Sequence, residues 1–432
     1  MASRQWMTRC AVTGLAALSV LGLVACSATT SGASTGGTAS KDPAIPASAY
    51  ADHTGISSTS VHVANVSTLT GGLAKGALVG TQAYAAYVNA KGGVDGRRIV
   101  VDSVDDNFSG AGNKQGVQSA IDHDFALVGG FSLQDSYGGA VLAQNPGMPD
   151  VAVVLDPHTY VLPNVFSPAP ASDGWNLGPL EYLKKKFPKD IGAVGTLVND
   201  LPSSLPGWLG ERYALNKAGY KVIYQPTYGL SQTDFTQNVI QMKDAGVKML
   251  FVDQLPAAYA SSLINSLQQQ DYHPVVVLGA TAYTNTLVAD AGGAANVDGD
   301  YLEQNQSLYL GGDKAVLRAV ATFLHWVHVA SPGFQPDLFT LYGWLSAELF
   351  SEGLKNAGHH PSRGSLLKAL RAITTFDGNG IVGPSDPVTK ALSNCYLMGQ
   401  LVNGTFQRVD DPPVSGATHG YRCDYAYIRP PA

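Results

Sequence analysis

Two adjacent carboxylates, Asp105 and Asp106, are spaced so that they could act as an acid–base pair or bind a metal. They end a β-branched segment, Arg97 to Val104, which predicts a strand. Because neighbouring strand residues point to opposite faces, the two carboxylates do not easily converge on one substrate. We therefore expect Asp105 and Asp106 to cap backbone N–H groups and to make hydrogen bonds on the hinge side of the strand.

Familiar catalytic motifs do not support an enzyme. The sequence has no HExxH, CxxC or GxxxxGK[ST] segment. Ser132 follows a glycine pair, but Gln134 stands where a nucleophile elbow requires glycine. His359 and His360 come at a predicted helix end, where histidine usually compensates the helix dipole. We predict no enzymatic activity, no catalytic residue, no metal site and no cofactor.

The N-terminus carries an export signal. Arg4 and Arg9 precede an apolar stretch, Ala11 to Val24, which is too short to span a bilayer but typical of a signal peptide, here residues 1–25. The following Leu23-Val24-Ala25-Cys26 resembles the lipobox of bacterial lipoproteins, in which Cys26 is acylated. The alternative is a plain secretory signal with an incidental cysteine. A lipid-modified chain would be anchored to the membrane without spanning it.

The remaining cysteines and charges restrict the partners. With Cys10 lost in the signal and Cys26 acylated, Cys395 and Cys423 remain, and we expect them to form a disulfide; two buried thiols are the alternative. Losing Arg4 and Arg9 from 27 basic residues leaves 25 against 33 acidic ones. This acidic balance, without a basic cluster, argues against nucleic acid or an anionic membrane surface as a partner.

After the signal, the amino-acid composition and the predicted secondary structure change at about residue 60. Residues 26–59 are rich in Ser, Thr, Gly, Ala and Pro, which predicts a flexible tether. From Val61 onward, predicted strands and helices alternate, which indicates parallel sheets with helices on both faces. The roughly 370 remaining residues exceed what one hydrophobic core usually serves, so we expect two lobes.

A helix that ends at Gly92-Gly93, the turn Asp95-Gly96 and a strand that ends in paired acids form the opening unit. This ordered series resembles the first lobe of type I periplasmic binding proteins of the branched-chain amino acid transport family. The resemblance implies two α/β lobes, each a parallel sheet flanked by helices, joined by a hinge of three crossovers. Its boundaries would place residues 60–168 and 297–378 in lobe 1, and residues 169–296 and 379–432 in lobe 2.

The resemblance also implies a ligand site between the lobes. In lobe 1, Leu73 would touch the ligand side chain, whereas Ser132 and the loop Pro157-His158-Thr159 would bind its carboxylate. The expected contacts in lobe 2 are Asp200, Gln254 and Tyr283. This lobe departs from the family pattern, because no tyrosine follows Val198 and no acid follows Gly279. A standard branched-chain amino acid is therefore doubtful, and Asp200 is the candidate partner for a ligand ammonium.

The sequence thus predicts a monomeric, lipid-anchored solute-binding protein on the outer face of the cytoplasmic membrane. It would capture a small polar solute, an amino acid or a related compound, and deliver it to the permease and ATPase subunits of an ABC importer. The alternative is a ligand-sensing lipoprotein that reports to a membrane receptor without transport.

Overall fold

Two β-sheets, one in each lobe, organise this computed structural model, which describes residues 44–169, 174–252, 254–410 and 420–431. The predicted signal peptide, Cys26 and the first part of the tether lie outside the described residues. All strands of the first sheet are parallel, in the order β2-β1-β3-β4-β5. They are β1 (Ser60–Ser67), β2 (Arg98–Asp105), β3 (Ala126–Val128), β4 (Asp150–Val151) and β5 (Val165–Phe166).

The second sheet has the order β15-β14-β13-β12-β11-β7-β9 and is parallel except for its last two strands, which form an antiparallel hairpin. Two short pairs, β10 with β8 and β16 with β6, accompany it. The strands are β6 (Trp175–Asn176), β7 (Val194–Thr196), β8 (Val198–Asn199), β9 (Val222–Tyr224), β10 (Thr227–Tyr228), β11 (Met249–Val252), β12 (Val275–Leu278), β13 (Tyr301–Gln304), β14 (Leu397–Val402), β15 (Thr405–Arg408) and β16 (Tyr427–Ile428).

One predicted boundary is wrong. We expected the chain to return to lobe 1 at residue 297, yet β13 pairs with β12 and β14 and so belongs to the second sheet. Its residues are fully buried between these strands, and pairing on both sides holds them there. The return to lobe 1 therefore begins after Gln304, and the other lobe boundaries stay predictions.

Helices cover the faces of both sheets. They are α1 (Lys75–Ala90), α2 (Gly110–His123), α3 (Asp135–Gln144), α4 (Pro157–Tyr160), α5 (Leu177–Lys186), α6 (Leu205–Ala218), α7 (Thr236–Ala245), α8 (Ala257–Gln269), α9 (Leu287–Asp290), α10 (Ala294–Val297), α11 (Asp313–Val316), α12 (Arg318–Ala330), α13 (Leu338–Asn356) and α14 (Arg363–Arg371). Helices α1 and α13 cross in close contact. A Cβ on Gly80 would lie only 1.9 Å from the Thr340 carbonyl oxygen. Glycine at this crossing lets the two backbones touch.

The second half of the predicted tether packs against lobe 1. Residues 44–59 are described, and they include a 3-10 helix, Ala47–Ala51, that packs beside α14 with Ala49 buried. The buried guanidinium of Arg363 holds this segment, since it lies 2.8 Å from the Asp52 carboxylate. A buried arginine needs such partners, because an unpaired buried charge costs several kcal/mol.

The chain passes between the lobes three times: after β5, after β13 and between α14 and β14. The second and third crossings are joined by backbone hydrogen bonds: the Gly383 N–H donates to the Asn305 carbonyl at 2.7 Å, and the Ser307 N–H donates to the Ile381 carbonyl at 2.7 Å. The third crossing also carries Cys395, which is bonded to Cys423 as the sequence predicted. Closing this loop of 28 residues stabilises the fold by about 3 to 4 kcal/mol in the chain-entropy model.

Glu348 on α13 is a half-buried acid with acidic neighbours. Burial raises its pKa to about 7, and the negative charges of Asp377 and Glu352 act in the same direction. The Asn379 side-chain amide donates to its carboxylate at 2.5 Å. The folded protein therefore favours the protonated acid over a pH range in which the unfolded chain is already ionised.

We expect Glu348→Gln to stabilise the protein by an amount that rises with pH. An unfolded glutamic acid ionises near 4.5, so stability falls as pH rises from there to about 7, where the folded acid ionises. Glutamine keeps the acceptor oxygen and removes the charge. Urea unfolding at about pH 5, 6, 7 and 8 would measure the gain, with exposed Asp244→Asn as the control. A gain that is independent of pH would contradict the assignment.

Candidate functional site

A cavity of about 610 Å³ lies at the carboxyl ends of the strands, and both lobes contribute to its lining. Loops after β1, β3 and β4 form one side, while loops after β8, β11, β12 and β13 form the other. Ligands of open α/β sheets bind at this edge, because loops and helix N-termini present free backbone groups there. We call this space the interlobe cavity; its volume is in the range of about 300–1,000 Å³ typical of small-molecule sites.

Aromatic side chains of lobe 1 form much of the apolar lining. Phe131 follows β3, and its ring centroid lies 4.7 Å from that of Phe339 and 6.1 Å from that of Tyr342. Phe339 and Tyr342 lie in the first turns of α13, whose start is fixed by a capping box at Asp337. The position of this aromatic wall therefore depends on a helix N-terminus that is firmly capped.

The uncharged polar groups of the cavity lining are carboxamides, serine and threonine hydroxyls and four tyrosine phenols. Among the described residues, the side-chain oxygens of Gln254 and Gln304 are buried and have no hydrogen-bond partner. The Tyr342 hydroxyl likewise has none within the described part of the chain, and burial raises the pKa of this phenol above its usual range. Gln254, Gln304 and Tyr342 therefore belong to the cavity lining and each has a polar atom without a partner among the described residues.

The two buried charged residues of the lining, Glu303 and Lys390, have protein partners. The Glu303 carboxylate accepts a hydrogen bond from the Trp175 indole at 3.0 Å. The Lys390 ammonium donates to the Leu162 carbonyl at 2.8 Å and is attracted by Asp150. Burial lowers the pKa of Lys390 to about 8, and the Asp150 charge partly opposes this shift.

Three of the residues predicted to contact the ligand, Leu73, Pro157 and Gln254, line the interlobe cavity. The neighbouring His158 is exposed and is not part of the lining. Asp200 is also exposed and lies outside the lining. Tyr283 is fully buried instead, where its hydroxyl accepts a hydrogen bond from the Leu310 N–H at 2.8 Å.

Ser132 and Thr159, the predicted carboxylate-binding residues, are buried and do not line the cavity. The Ser132 hydroxyl donates to the buried Asp106 carboxylate, and the Thr159 hydroxyl donates to Asp156 at 2.9 Å. Both hydroxyls therefore satisfy carboxylates of the protein itself. The prediction missed this because the partner of a hydroxyl depends on tertiary packing, which loop position alone does not specify.

The paired acids behave as expected from the sequence. Asp105 accepts hydrogen bonds from the Thr70 hydroxyl at 2.6 Å and the Leu69 N–H at 3.0 Å, while Asp106 accepts from the Phe108 N–H at 2.9 Å. Desolvation opposes ionisation of Asp105, but these hydrogen bonds outweigh it and lower its pKa. The two carboxylates thus cap the loops that border the interlobe cavity.

A cluster that sequence reasoning missed lies at the other end of the first sheet. His62, Asp102 and Asp124 place possible ligand atoms within 4.8 Å of one another, and the imidazole Nδ1 of His62 is 2.9 Å from Asp102. Burial, together with the neighbouring Asp102 carboxylate, raises the pKa of Asp124 to about 7. A protonated Asp124 can donate to Asp102, which accounts for the arrangement through contacts within the protein.

Two α/β lobes with an interlobe cavity at their strand ends define the architecture of a two-lobed solute-binding protein. Residues 60–405 match the family described as Periplasmic binding protein, and the chain belongs to that family. No curated protein matches the chain. Proteins of this family bind solutes and are not enzymes. Among the described residues, no helix is long and apolar enough to cross a bilayer.

Solved structures share the fold at low sequence identity. A fatty acid ABC transporter substrate-binding protein from Thermomonospora curvata is 16% identical, with a TM-score of 0.69 over 84% of this chain and 95% of that chain. A branched-chain amino acid ABC transporter from Thermus thermophilus with bound valine is 14% identical, with a TM-score of 0.69 over 84% and 98%. LivJ from Streptococcus pneumoniae in complex with isoleucine is 16% identical, with a TM-score of 0.65 over 82% and 100%. At these identities the likeness shows the fold alone.

We expect Ser132→Ala to lower the free energy of unfolding by about 1–3 kcal/mol, because it leaves the buried Asp106 carboxylate short of a donor. Urea unfolding would measure the loss, with exposed Ser136→Ala as a matched control that should change stability by less than about 0.5 kcal/mol. If Ser132→Ala leaves stability unchanged and weakens solute binding, Ser132 instead binds the ligand.

Proposed function

We propose that this chain is a lipid-anchored, extracytoplasmic solute-binding protein that holds a small solute in the interlobe cavity and delivers it to an ABC importer. The observation that carries the proposal is the cavity itself, which both lobes line at their strand ends. A solute held there contacts both lobes at once and favours their closed arrangement, which a permease can recognise.

Membership of the periplasmic binding protein family supports the transport role. The names of structural neighbours associate this fold with ABC transport of branched-chain amino acids and of fatty acids. The sequence prediction of an amino acid or a related polar compound is only partly supported by the cavity. It has Leu73, Pro157 and Gln254 in place, but it lacks the hydroxyls of Ser132 and Thr159 as carboxylate donors.

The anchor proposal rests on Leu23-Val24-Ala25-Cys26. An acyl group on Cys26 would hold the folded part at the outer face of the membrane, near the permease. The segment that follows would act as the tether up to about residue 43, since residues 44–59 pack on lobe 1.

Replacing Cys26 with Ser should release the exported protein from the membrane, because the residue that carries the lipid is lost. Fractionation of cells that express the two forms, with metabolic labelling by a radioactive fatty acid, would measure the change. Cys10→Ser should leave both attachment and label unaffected. A Cys26→Ser protein that stays in the membrane fraction would refute the anchor.

Binding is tested by a thermal-shift screen of amino acids, amides, carboxylates, alcohols and aromatic metabolites. A ligand at about 100 times its Kd should add about 2.7 kcal/mol to the free energy of unfolding. Leu73→Trp should reduce the shift, because the indole adds bulk within the lining, whereas Leu205→Trp, outside the lining, should preserve it. If no compound shifts the transition, or if Leu73→Trp has no effect, the binding proposal fails. Uptake of labelled ligand by cells with and without the protein would separate import from sensing.

A further inference from the structure

The charged side chains that line the interlobe cavity, Glu303, Lys390 and Arg429, already have partners within the protein. A buried ammonium or carboxylate needs a partner of opposite charge or several hydrogen bonds, and it costs several kcal/mol without them. Ser132 and Thr159 donate to protein carboxylates, and Asp200 is exposed outside the lining. The zwitterion that the sequence resemblance implied therefore has no matching set of contacts here.

What the cavity does offer is an apolar surface with a few neutral polar groups. The Phe131, Phe339 and Tyr342 rings cover the lobe 1 side. On the lobe 2 side, Gln254 follows β11, Gln304 ends β13, and both line the cavity; among the described residues their side-chain oxygens are buried and have no partner. Each such oxygen gains a hydrogen bond if the ligand brings a donor.

We propose, on the basis of the proposed solute-binding function, that the ligand is an uncharged, largely apolar molecule that carries a hydroxyl or amide donor. Its ring or chain packs against Phe131, Phe339 and Tyr342, and its donor bonds to Gln254 or Gln304. The Tyr342 hydroxyl, which also has no partner in the described part of the chain, donates to the ligand oxygen. A charged or zwitterionic analogue of the same skeleton binds less well, since its charge loses hydration without a compensating ion.

A series of compounds with one ring and one three-carbon chain tests the charge preference. The probes are hydrocinnamyl alcohol, hydrocinnamamide, hydrocinnamate, phenylpropylamine and phenylalanine, each titrated into the mature protein by calorimetry. We expect the alcohol and the amide to bind at least about ten-fold more tightly than the three charged compounds. Equal or tighter binding of any charged member, or binding by none of the five, would overturn the ligand class. A hit elsewhere in the solute screen, weakened in Leu73→Trp, would still support the solute-binding function.

Substitutions in the lining test the hydrogen bonds. Gln254→Met, Gln304→Met and Tyr342→Phe keep side-chain size and remove one polar group each. Gln254→Met should fold at least as well as the parent. Gln304→Met also loses the hydrogen bond that Gln304 donates to the Ser307 carbonyl at 3.3 Å, so its stability is measured beside its affinity. Tyr342→Phe and at least one of the methionine variants should weaken binding of the alcohol by about three- to ten-fold. Gln82→Met, on the exposed face of α1, is the control and should leave affinity unchanged. Unchanged affinity in all three lining variants would refute the assigned contacts.

Discussion

The buried carboxylate of Asp106 is the constraint on which the ligand-facing edge of lobe 1 depends. It accepts hydrogen bonds from the Thr68 and Ser132 hydroxyls, and so joins the loops that follow β1, β2 and β3. Removing these donors would leave the buried Asp106 charge unsatisfied, which strongly destabilises a folded protein. With Ser132 turned toward Asp106, its neighbours Phe131 and Leu133 line the cavity. Because Ser132 is bonded to Asp106, the side chains of Phe131 and Leu133, and not the predicted serine hydroxyl, face the cavity at this edge.

Local sequence signals predicted much of the fold. Asn403 and Gly404 both adopt positive φ, at 51° and 74°, as the tight hairpin between β14 and β15 requires. The helix predicted to stop at Gly92-Gly93 is α1, which ends at Ala90, and both glycines adopt positive φ, at 99° and 79°. Long-range partners were harder to infer. The Ser- and Thr-rich composition of residues 44–59 gave no sign of Arg363, which lies more than 300 positions away and holds the segment in place through Asp52.

The candidate site was predictable in its location and less so in its chemistry. The family resemblance implied that Leu73 and Pro157 face the ligand, and both residues line the cavity. The aromatic wall was not found, because Phe131 and Phe339 are more than 200 positions apart and meet only when α13 packs beside the sheet. The polar run Gln304-Asn305-Gln306, directly after a predicted strand, was a signal that could have been used.

Whether the disulfide between Cys395 and Cys423 forms depends on the compartment in which the chain is located. The tail that carries Cys423 also pairs through β16 with β6, just after the first crossing, so the bond converts a chain end into part of a closed ring beside the hinge. Cytosolic thiols are kept reduced, whereas exported ones are oxidised. For the exported protein proposed above, this ring forms only after translocation. The third crossing is then tied covalently to the tail in the compartment where the proposed solute is bound, and not in the one where the chain is made.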